Sequence, residues 1–147
     1  MSDLIDDLIR DEALRLYPYD DHTGKPLREH DKVLGKITIG IGRNLTDRGL
    51  TKSEAMFLLV NDINIVEAEL IERAGEVFVQ CHDNAQRALM NMAFNMGLPR
   101  LMKFENMWAA LAVEDYELAA KEALDSKWAR QVGDRAERIA DLIRGGK

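Results

Sequence analysis

The chain has 147 residues, 46% of them hydrophobic, which is enough for one sizeable core, and we expect a single folding unit. Its single cysteine, Cys81, excludes an internal disulfide framework and a multi-cysteine metal site, and a buried unreactive thiol is expected. The formal charge of −6 comes with no basic stripe, so binding to nucleic acid is disfavoured.

The start of the chain does not have the pattern of a secretory signal. Its first ten residues include three aspartates and lack the basic start and continuous apolar run of such signals. No segment reaches the roughly 18 apolar residues that a membrane span needs. We therefore expect a protein made in the cytoplasm, without stable membrane insertion.

A helix is the first predicted element, over residues 3–16, with an apolar stripe at helical spacing formed by Leu4, Ile5, Leu8 and Ile9. Glu12 lies on or beside this stripe. It is either a surface glutamate paired with Arg10 or Arg15, or an acid held for chemistry. The helix by itself favours the surface glutamate.

A turn-rich β segment is predicted over residues 17–24, because Pro18 ends the helical pattern. The polar residues 25–36 are then predicted to form a solvated hairpin loop, which we call the 25–36 loop. His22 and His30 do not indicate a metal site, since no third ligand lies at a useful spacing.

The next strand alternates Ile-Thr-Ile-Gly-Ile-Gly over residues 37–42, so Thr38, Gly40 and Gly42 share one face. Glycines weaken a strand unless something approaches its backbone closely. The strand is therefore either a bulged edge strand or the floor of a groove for a bulky ligand, and the pattern favours neither.

Helices are predicted for the rest of the chain. T-K-S-E at residues 51–54 is a capping box and predicts a long helix to Ala74, able to join two lobes. Further helices are predicted over 84–96, about 100–112, about 115–125 and from Asp134 onward. A run of methionine and aromatic side chains is more typical of a core than of a sugar-binding platform: Met90, Met92, Phe94, Met96, Met102, Phe104, Met107, Trp108 and Trp128.

Glu12 and the neighbouring acids Asp20 and Asp21 are the residue types that a glycosidase needs. One carboxylic acid protonates the leaving oxygen, and a second carboxylate activates water or attacks the sugar. The two groups need different environments, such as a helix end and an open turn. Acids at this spacing are common by chance, so the spacing alone leaves Asp20 and Asp21 as alternatives.

The order of the motifs resembles that of phage-type lysozymes, glycoside hydrolase family 24. The signature is a Glu, eight residues, an Asp and then T-I-G-I-G; D-E-A-L-R-L, L-T-K-S-E-A, A-L-M-N-M-A-F-N-M-G and S-K-W-A-R-Q-V-G-D-R-A-E-R also have counterparts there. The resemblance implies an α+β, mostly helical, lysozyme-like fold with a cleft between two lobes. A small N-terminal β-hairpin lobe would span about 17–50, a linking helix about 51–74, and a helical C-terminal lobe about 1–16 and 75–147.

The same resemblance implies roles for individual residues. Glu12 would be the general acid, Asp21 the base of an inverting reaction, and Thr38 the hydroxyl that holds the attacking water. Asp21 is preferred to Asp20 because it keeps the family's eight-residue spacing. Inversion predicts a carboxyl separation of roughly 6.5–9.5 Å.

Four further positions match family residues with supporting roles. Arg135 would pair with the catalytic glutamate, unless it is an ordinary surface arginine. Asn95, Phe94 and Gly40 would bind substrate, although Asn95 also fits a plain polar residue at a helix end. No metal or cofactor is implied.

Three departures from the family pattern stand out. The 25–36 loop lengthens the spacing between Asp21 and Thr38 from the usual five residues to sixteen. Arg43 stands where the best-known member has a histidine. The segment from Arg43 to the capping box is also shorter, which implies a smaller N-terminal lobe.

The expected function is that of a phage endolysin, a monomeric muramidase that cleaves the β-1,4 bond between N-acetylmuramic acid and N-acetylglucosamine in peptidoglycan. It would be made in the host cytoplasm, and a separate pore-forming protein, a holin, would release it to the periplasmic wall. Two alternatives are a lytic transglycosylase, which needs no second carboxylate, and a non-catalytic lysozyme-like domain that binds glycan or protein.

Overall fold

The computed structural model describes residues 1–145, and its fold is α+β and mostly helical, as the resemblance implied. By their internal contacts the residues form two compact units, a first unit of Met1–Met56 and a second unit that begins at Phe57. The lobe boundaries implied by the resemblance, which place 1–16 with the helical lobe, stay a prediction. Among residues 1–145, no helix combines the length and apolar character that crossing a membrane requires.

The first unit contains a small sheet with helices before and after it. In chain order it comprises α1 (Ser2–Glu12), β1 (Arg15–Asp20), β2 (Ile37–Gly40), β3 (Arg43–Asn44), α2 (Leu45–Arg48) and the first turn of α3 (Lys52–Ala74). The helix predicted over 3–16 is therefore too long. Ala13 has a left-handed φ of 61°, and Arg15 already pairs with Gly40, so sheet pairing overrides the helical pattern after Glu12.

The sheet is antiparallel in the order β1-β2-β3. Its central strand carries Thr38, which is paired with Tyr19 on one side and Asn44 on the other. Pro18 lies inside β1, which is tolerated because β1 is an edge strand and Pro18 contributes only its carbonyl, accepting the Leu27 N–H at 3.0 Å.

The 25–36 loop is mostly exposed and irregular, in agreement with its prediction as a solvated hairpin loop. A single bridge between Tyr19 and Pro26 begins it, and a turn closed by the Asp31 N–H and the Arg28 carbonyl lies near its tip. The loop then returns to the sheet at Ile37, which pairs with Asp20. The loop's two ends are therefore adjacent in space.

The capping box forms as predicted. The Thr51 N–H donates to Glu54 Oε1 and the Glu54 N–H donates to Thr51 Oγ1, both at 3.1 Å, and α3 runs from Lys52 to Ala74. Glu54 also pairs with Arg43, whose Nη1 lies 2.5 Å from Glu54 Oε2 and donates to the Gly49 carbonyl. Arg43 thus fixes the end of the sheet to the start of α3 within the first unit.

The second unit is a cluster of helices after α3. They are α4 (Glu76–Val79), α5 (Asp83–Met96), α6 (Leu98–Leu101), α7 (Glu105–Ala112), α8 (Tyr116–Leu124), α9 (Lys127–Val132) and α10 (Asp134–Arg144). The helix predicted over 100–112 is in fact two, because Phe104 has a non-helical ψ of 59° and its ring packs edge-on against Trp128. The short helices α2, α4 and α9 were not predicted.

The core of the second unit contains much of the predicted methionine and aromatic run. Met92, Met107 and Trp128 are buried, and Met90, Met96, Met102, Phe104 and Trp108 are half-buried against them. Phe94 is the exception, with 47% of its surface exposed. Cys81 is buried as expected, and burial raises the pKa of its thiol.

Candidate active site

Glu12 is the last residue of α1, and its side chain lies against the turn that joins β2 to β3. A methyl group on Gly42 would come within 2.9 Å of Glu12 Oε2 and 3.0 Å of its Cδ, and Gly42 has a left-handed φ of 68°. The left-handed φ favours glycine there, and a side chain would also push the Glu12 carboxyl group aside. The carboxyl group of Glu12 therefore lies next to the Gly42 backbone.

The surface ion pair considered for Glu12 is not what the structure shows. Arg10 pairs with Asp7 and Asp11, while Arg15 donates to the Gly24 carbonyl and lies over the ring of Tyr19. Glu12 is exposed and none of these cations neutralises it. Its carboxyl group remains available to a ligand.

Asp20 and Asp21 are adjacent in sequence but differ in surroundings. Asp20 is 2% exposed, and its two carboxylate oxygens accept backbone N–H groups from Leu34, His22 and Gly35. The Leu34 N–H is the largest cause that lowers the pKa of Asp20, and burial opposes it. Asp20 is thus committed to backbone contacts and is unsuited to proton transfer.

Asp21 follows β1 and is exposed. The Lys36 N–H donates to its Oδ1 at 2.6 Å, and within residues 1–145 its Oδ2 has no hydrogen-bond partner. A carboxylate with one oxygen fixed and the other open can accept a proton from a water molecule. Geometry therefore favours Asp21 over Asp20, the same choice that the family spacing implies.

Thr38 is 4% exposed and shares a backbone partner with Asp21. Its hydroxyl donates to the Lys36 carbonyl at 3.2 Å, and that carbonyl also accepts the Asp21 N–H at 3.0 Å. The Lys36 backbone therefore links the two residues: it binds Asp21 through its N–H and its carbonyl, and Thr38 through its carbonyl. Despite sixteen intervening residues, the fold brings the two together.

Gly40 is the next residue on the Thr38 face of β2. It has a left-handed φ of 71°, and no heavy atom lies within 4 Å of the position where a side chain would begin. The space beside Gly40 is open, which suits close approach of a bulky ligand. Its substrate-binding role stays a prediction.

The remaining predicted site residues belong to the second unit. Arg135 donates two hydrogen bonds to Asn91 Oδ1, at 3.1 and 2.8 Å. Its predicted pairing with Glu12 stays a prediction. Phe94 lines a groove of about 530 Å³ whose apolar residues include Leu59 and Met90 and whose polar residues include Arg135.

Asn95 makes a contact inside the second unit that sequence reasoning did not foresee. Its Oδ1 accepts the indole N–H of the buried Trp128 at 2.8 Å. This contact supports the plainer interpretation of Asn95 as a structural residue. Its substrate-binding role stays a prediction.

No set of three or more His, Cys, Asp and Glu side chains converges as a metal-binding group within the described part of the chain. The chemistry that Glu12, Asp21 and Thr38 offer is acid and base chemistry. Together they provide a carboxyl group at the end of α1, a carboxylate with an open oxygen after β1, and a buried hydroxyl on β2.

Comparison with known proteins identifies the family of the chain. The family model described as phage lysozyme matches residues 10–144. The chain belongs to the phage lysozyme family. The match includes all the predicted site residues in both units.

Two curated relatives are similar to this chain. It is 31% identical over 155 aligned residues to the pre-baseplate central spike protein Gp5 of Enterobacteria phage T4, covering 95% of this chain and 27% of the spike protein. It is 23% identical over 99 residues to the probable T4-type lysozyme 1 of Dictyostelium discoideum, covering 66% of this chain and 58% of that protein. The chain thus spans about a quarter of one relative and somewhat more than half of the other.

Sequence reasoning missed several residues that shape this candidate site. Gly35, the backbone of Lys36, and the contact of Gly42 with Glu12 were not identified. Backbone groups carry no signal of their own in a sequence, and a glycine shows neither its φ nor its neighbours. The one available signal was the Asp20–Asp21 pair. When one of two adjacent acids is buried, its carboxylate needs hydrogen-bond donors, which here are backbone N–H groups.

Proposed function

We propose that the protein is a lysozyme-type glycoside hydrolase that cleaves the β-1,4 bond between N-acetylmuramic acid and N-acetylglucosamine in bacterial peptidoglycan. One observation carries the proposal: Lys36 binds the Asp21 carboxylate through its N–H and the Thr38 hydroxyl through its carbonyl. Family membership supports the same reaction class.

The proposed reaction uses each group once. Glu12, as a carboxylic acid, donates its proton to the glycosidic oxygen as the bond from that oxygen to the sugar's anomeric carbon breaks. The oxygen of a water molecule bonds to that carbon from the opposite face, and Asp21 Oδ2 takes the proton that the water loses. Inversion at the carbon follows.

Thr38 has a specific place in this scheme. Its hydroxyl proton is already donated to the Lys36 carbonyl, so the lone pairs of Oγ1 are left to accept a hydrogen bond from the attacking water. Solvent then returns a proton to Glu12 and removes one from Asp21. The protons therefore balance with solvent water as the other participant.

The test of the acid is Glu12→Gln, which keeps the size of the side chain and removes the proton donor. We expect the rate of turbidity loss of outer-membrane-permeabilised Gram-negative cells to fall about 10²- to 10⁴-fold. Asp11→Asn, an exposed neighbour on the same helix, is the matched control and should lyse like wild type. Equal lysis by wild type and Glu12→Gln, or none by either, would refute the proposal.

The products separate this reaction from that of a lytic transglycosylase. Hydrolysis with inversion of a β bond releases a reducing end that is first the α anomer, whereas a transglycosylase leaves an anhydromuramic end. Proton NMR of an early digest of purified peptidoglycan distinguishes the two. An anhydromuramic end would show that the enzyme is a lytic transglycosylase and not a hydrolase. A β anomer as the first product would show that the reaction retains the configuration of the anomeric carbon.

For the biological role, we propose a monomeric endolysin that is made in the host cytoplasm and reaches the periplasmic wall through a separate holin. Co-expression with a pore-forming protein should then cause lysis that neither protein causes alone. The similarity to a spike protein favours a second candidate, a wall-cleaving domain carried by phage particles. Recovery of the chain in purified phage particles would support this second role.

A further inference from the structure

The 25–36 loop is closed at its base by a buried carboxylate. Asp20 Oδ1 accepts the N–H groups of His22 at 2.9 Å and Gly35 at 3.0 Å, and Oδ2 accepts the Leu34 N–H at 2.7 Å. Two of these donors lie 14 and 15 residues beyond Asp20 in the chain. We call this arrangement, Asp20 with the N–H groups of His22, Leu34 and Gly35, the Asp20 clasp.

Within the described part of the chain, the negative charge of the Asp20 carboxylate is stabilised by backbone N–H groups and not by a cation. Asp20 is 2% exposed and makes no ion pair among residues 1–145, so the three N–H groups replace the water that a carboxylate needs. Hydrogen bonds to an ionised acceptor are about twice as strong as those between neutral groups. The loop ends are therefore held by strong, directed contacts.

Gly35 allows the loop to approach this closely. A side chain there would overlap Asp21 Oδ1 and lie 2.7 Å from His22 Cβ and 2.9 Å from Asp20 Oδ1. These distances leave no room for even a methyl group. The close approach is a steric requirement for glycine at this position.

The next residue in the chain is the one that binds Asp21. Once Leu34 and Gly35 are fixed on Asp20, the N–H of Lys36 points at Asp21 Oδ1 from 2.6 Å. The Lys36 carbonyl accepts from the Asp21 N–H and the Thr38 hydroxyl. A loop that moved at its base would therefore move both Asp21 and Thr38.

We propose that Asp20 and Gly35 are positioning residues that hold the Asp21 carboxylate in place through Lys36. The proposal rests on the proposed function, in which Asp21 is the base. It explains how Asp21 and Thr38 can both contact the Lys36 backbone although a long loop separates them in sequence. The loop tip then has no part in positioning.

The test compares Asp20→Asn and Gly35→Ala with Asp31→Asn, a control variant of the same loop. Asp31 is an exposed acid near the loop tip whose carboxylate accepts the Arg28 N–H. With soluble peptidoglycan fragments, we expect both test variants to lower kcat about tenfold or more. KM should change less than about twofold, and the control should keep a kcat within about threefold of wild type.

Rescue by azide separates positioning of the base from general damage. Azide attacks the anomeric carbon without losing a proton, so it needs no base, and Glu12 still protonates the leaving oxygen. We expect azide to restore turnover, as a glycosyl azide product, in Asp20→Asn, Gly35→Ala and Asp21→Asn alike. A rate defect in the first two that azide does not restore would overturn the proposal.

The outcomes also separate this proposal from the proposed function. If Asp21→Asn kept the wild-type kcat, the base assignment would fail and the positioning role with it. If Asp21→Asn lost activity while Asp20→Asn and Gly35→Ala did not, only the positioning role would be overturned. If the variants do not fold, hydrogen exchange of the wild-type protein still tests the clasp. The amides of Leu34, Gly35 and Lys36 should exchange with solvent at least about tenfold more slowly than that of Lys32. Equal exchange would refute the clasp.

Discussion

The two units bury opposite kinds of residue. In the second unit, the buried set is apolar and includes Leu89, Met92 and Trp128, whereas the fully buried residues described in the first unit are Asp20 and Thr38. Directed hydrogen bonds organise the first unit, and close packing organises the second. The difference suggests that substitutions in the second unit affect mainly stability, and substitutions of buried residues in the first affect mainly activity.

The largest expected effect on stability is in the second unit. Leu89 is fully buried in α5, so Leu89→Ala should lower the free energy of unfolding by about 2–5 kcal/mol, through lost burial and the cavity left behind. Urea denaturation measures the change. Activity per folded molecule should stay at the wild-type level; a large fall in kcat in the folded variant would break the comparison.

A smaller effect is expected at Asn95. Asn95→Ala removes the acceptor of the buried Trp128 indole N–H and should cost about 1–2 kcal/mol of the free energy of unfolding. Asn95→Asp keeps an acceptor oxygen and is the matched control. If Asn95→Ala instead raised KM without a change in stability, the substrate-binding interpretation would replace the structural one.

The smallest expected effect is a pH dependence in the first unit. Because backbone N–H groups lower the pKa of Asp20, its contribution to stability is complete above the ordinary aspartate value of 3.8 and is lost as pH falls through the lowered value. The unfolding midpoints of wild type and Asp20→Asn should therefore converge as pH falls below about 3.8. The difference between the two proteins isolates Asp20 from Asp47 and Glu54, whose pKa values are also lowered. A constant difference from pH 6 to pH 2.5 would contradict this account.

Local sequence signals predicted the elements that depend on neighbouring residues. The capping box placed the start of α3, and Gly97 placed the end of α5, because caps are formed within a few residues. The prediction failed where distant contacts decide. The helix predicted over 3–16 stops at Glu12 because Arg15 pairs with Gly40, a residue 25 positions further along the chain.

For the site, the sequence by itself determined which groups are present and their order: Glu12, Asp21 after eight residues, and Thr38 in a glycine-rich strand. It also left Asp20 and Asp21 chemically equivalent until a family spacing was applied. Only the tertiary structure decided that Asp20 is buried on three N–H groups and that Asp21 keeps an open oxygen. The reason is physical: apart from the nearby His22 N–H, the partners of both carboxylates are backbone groups of a loop 14 to 15 residues away. Backbone groups are the same at every position of a sequence.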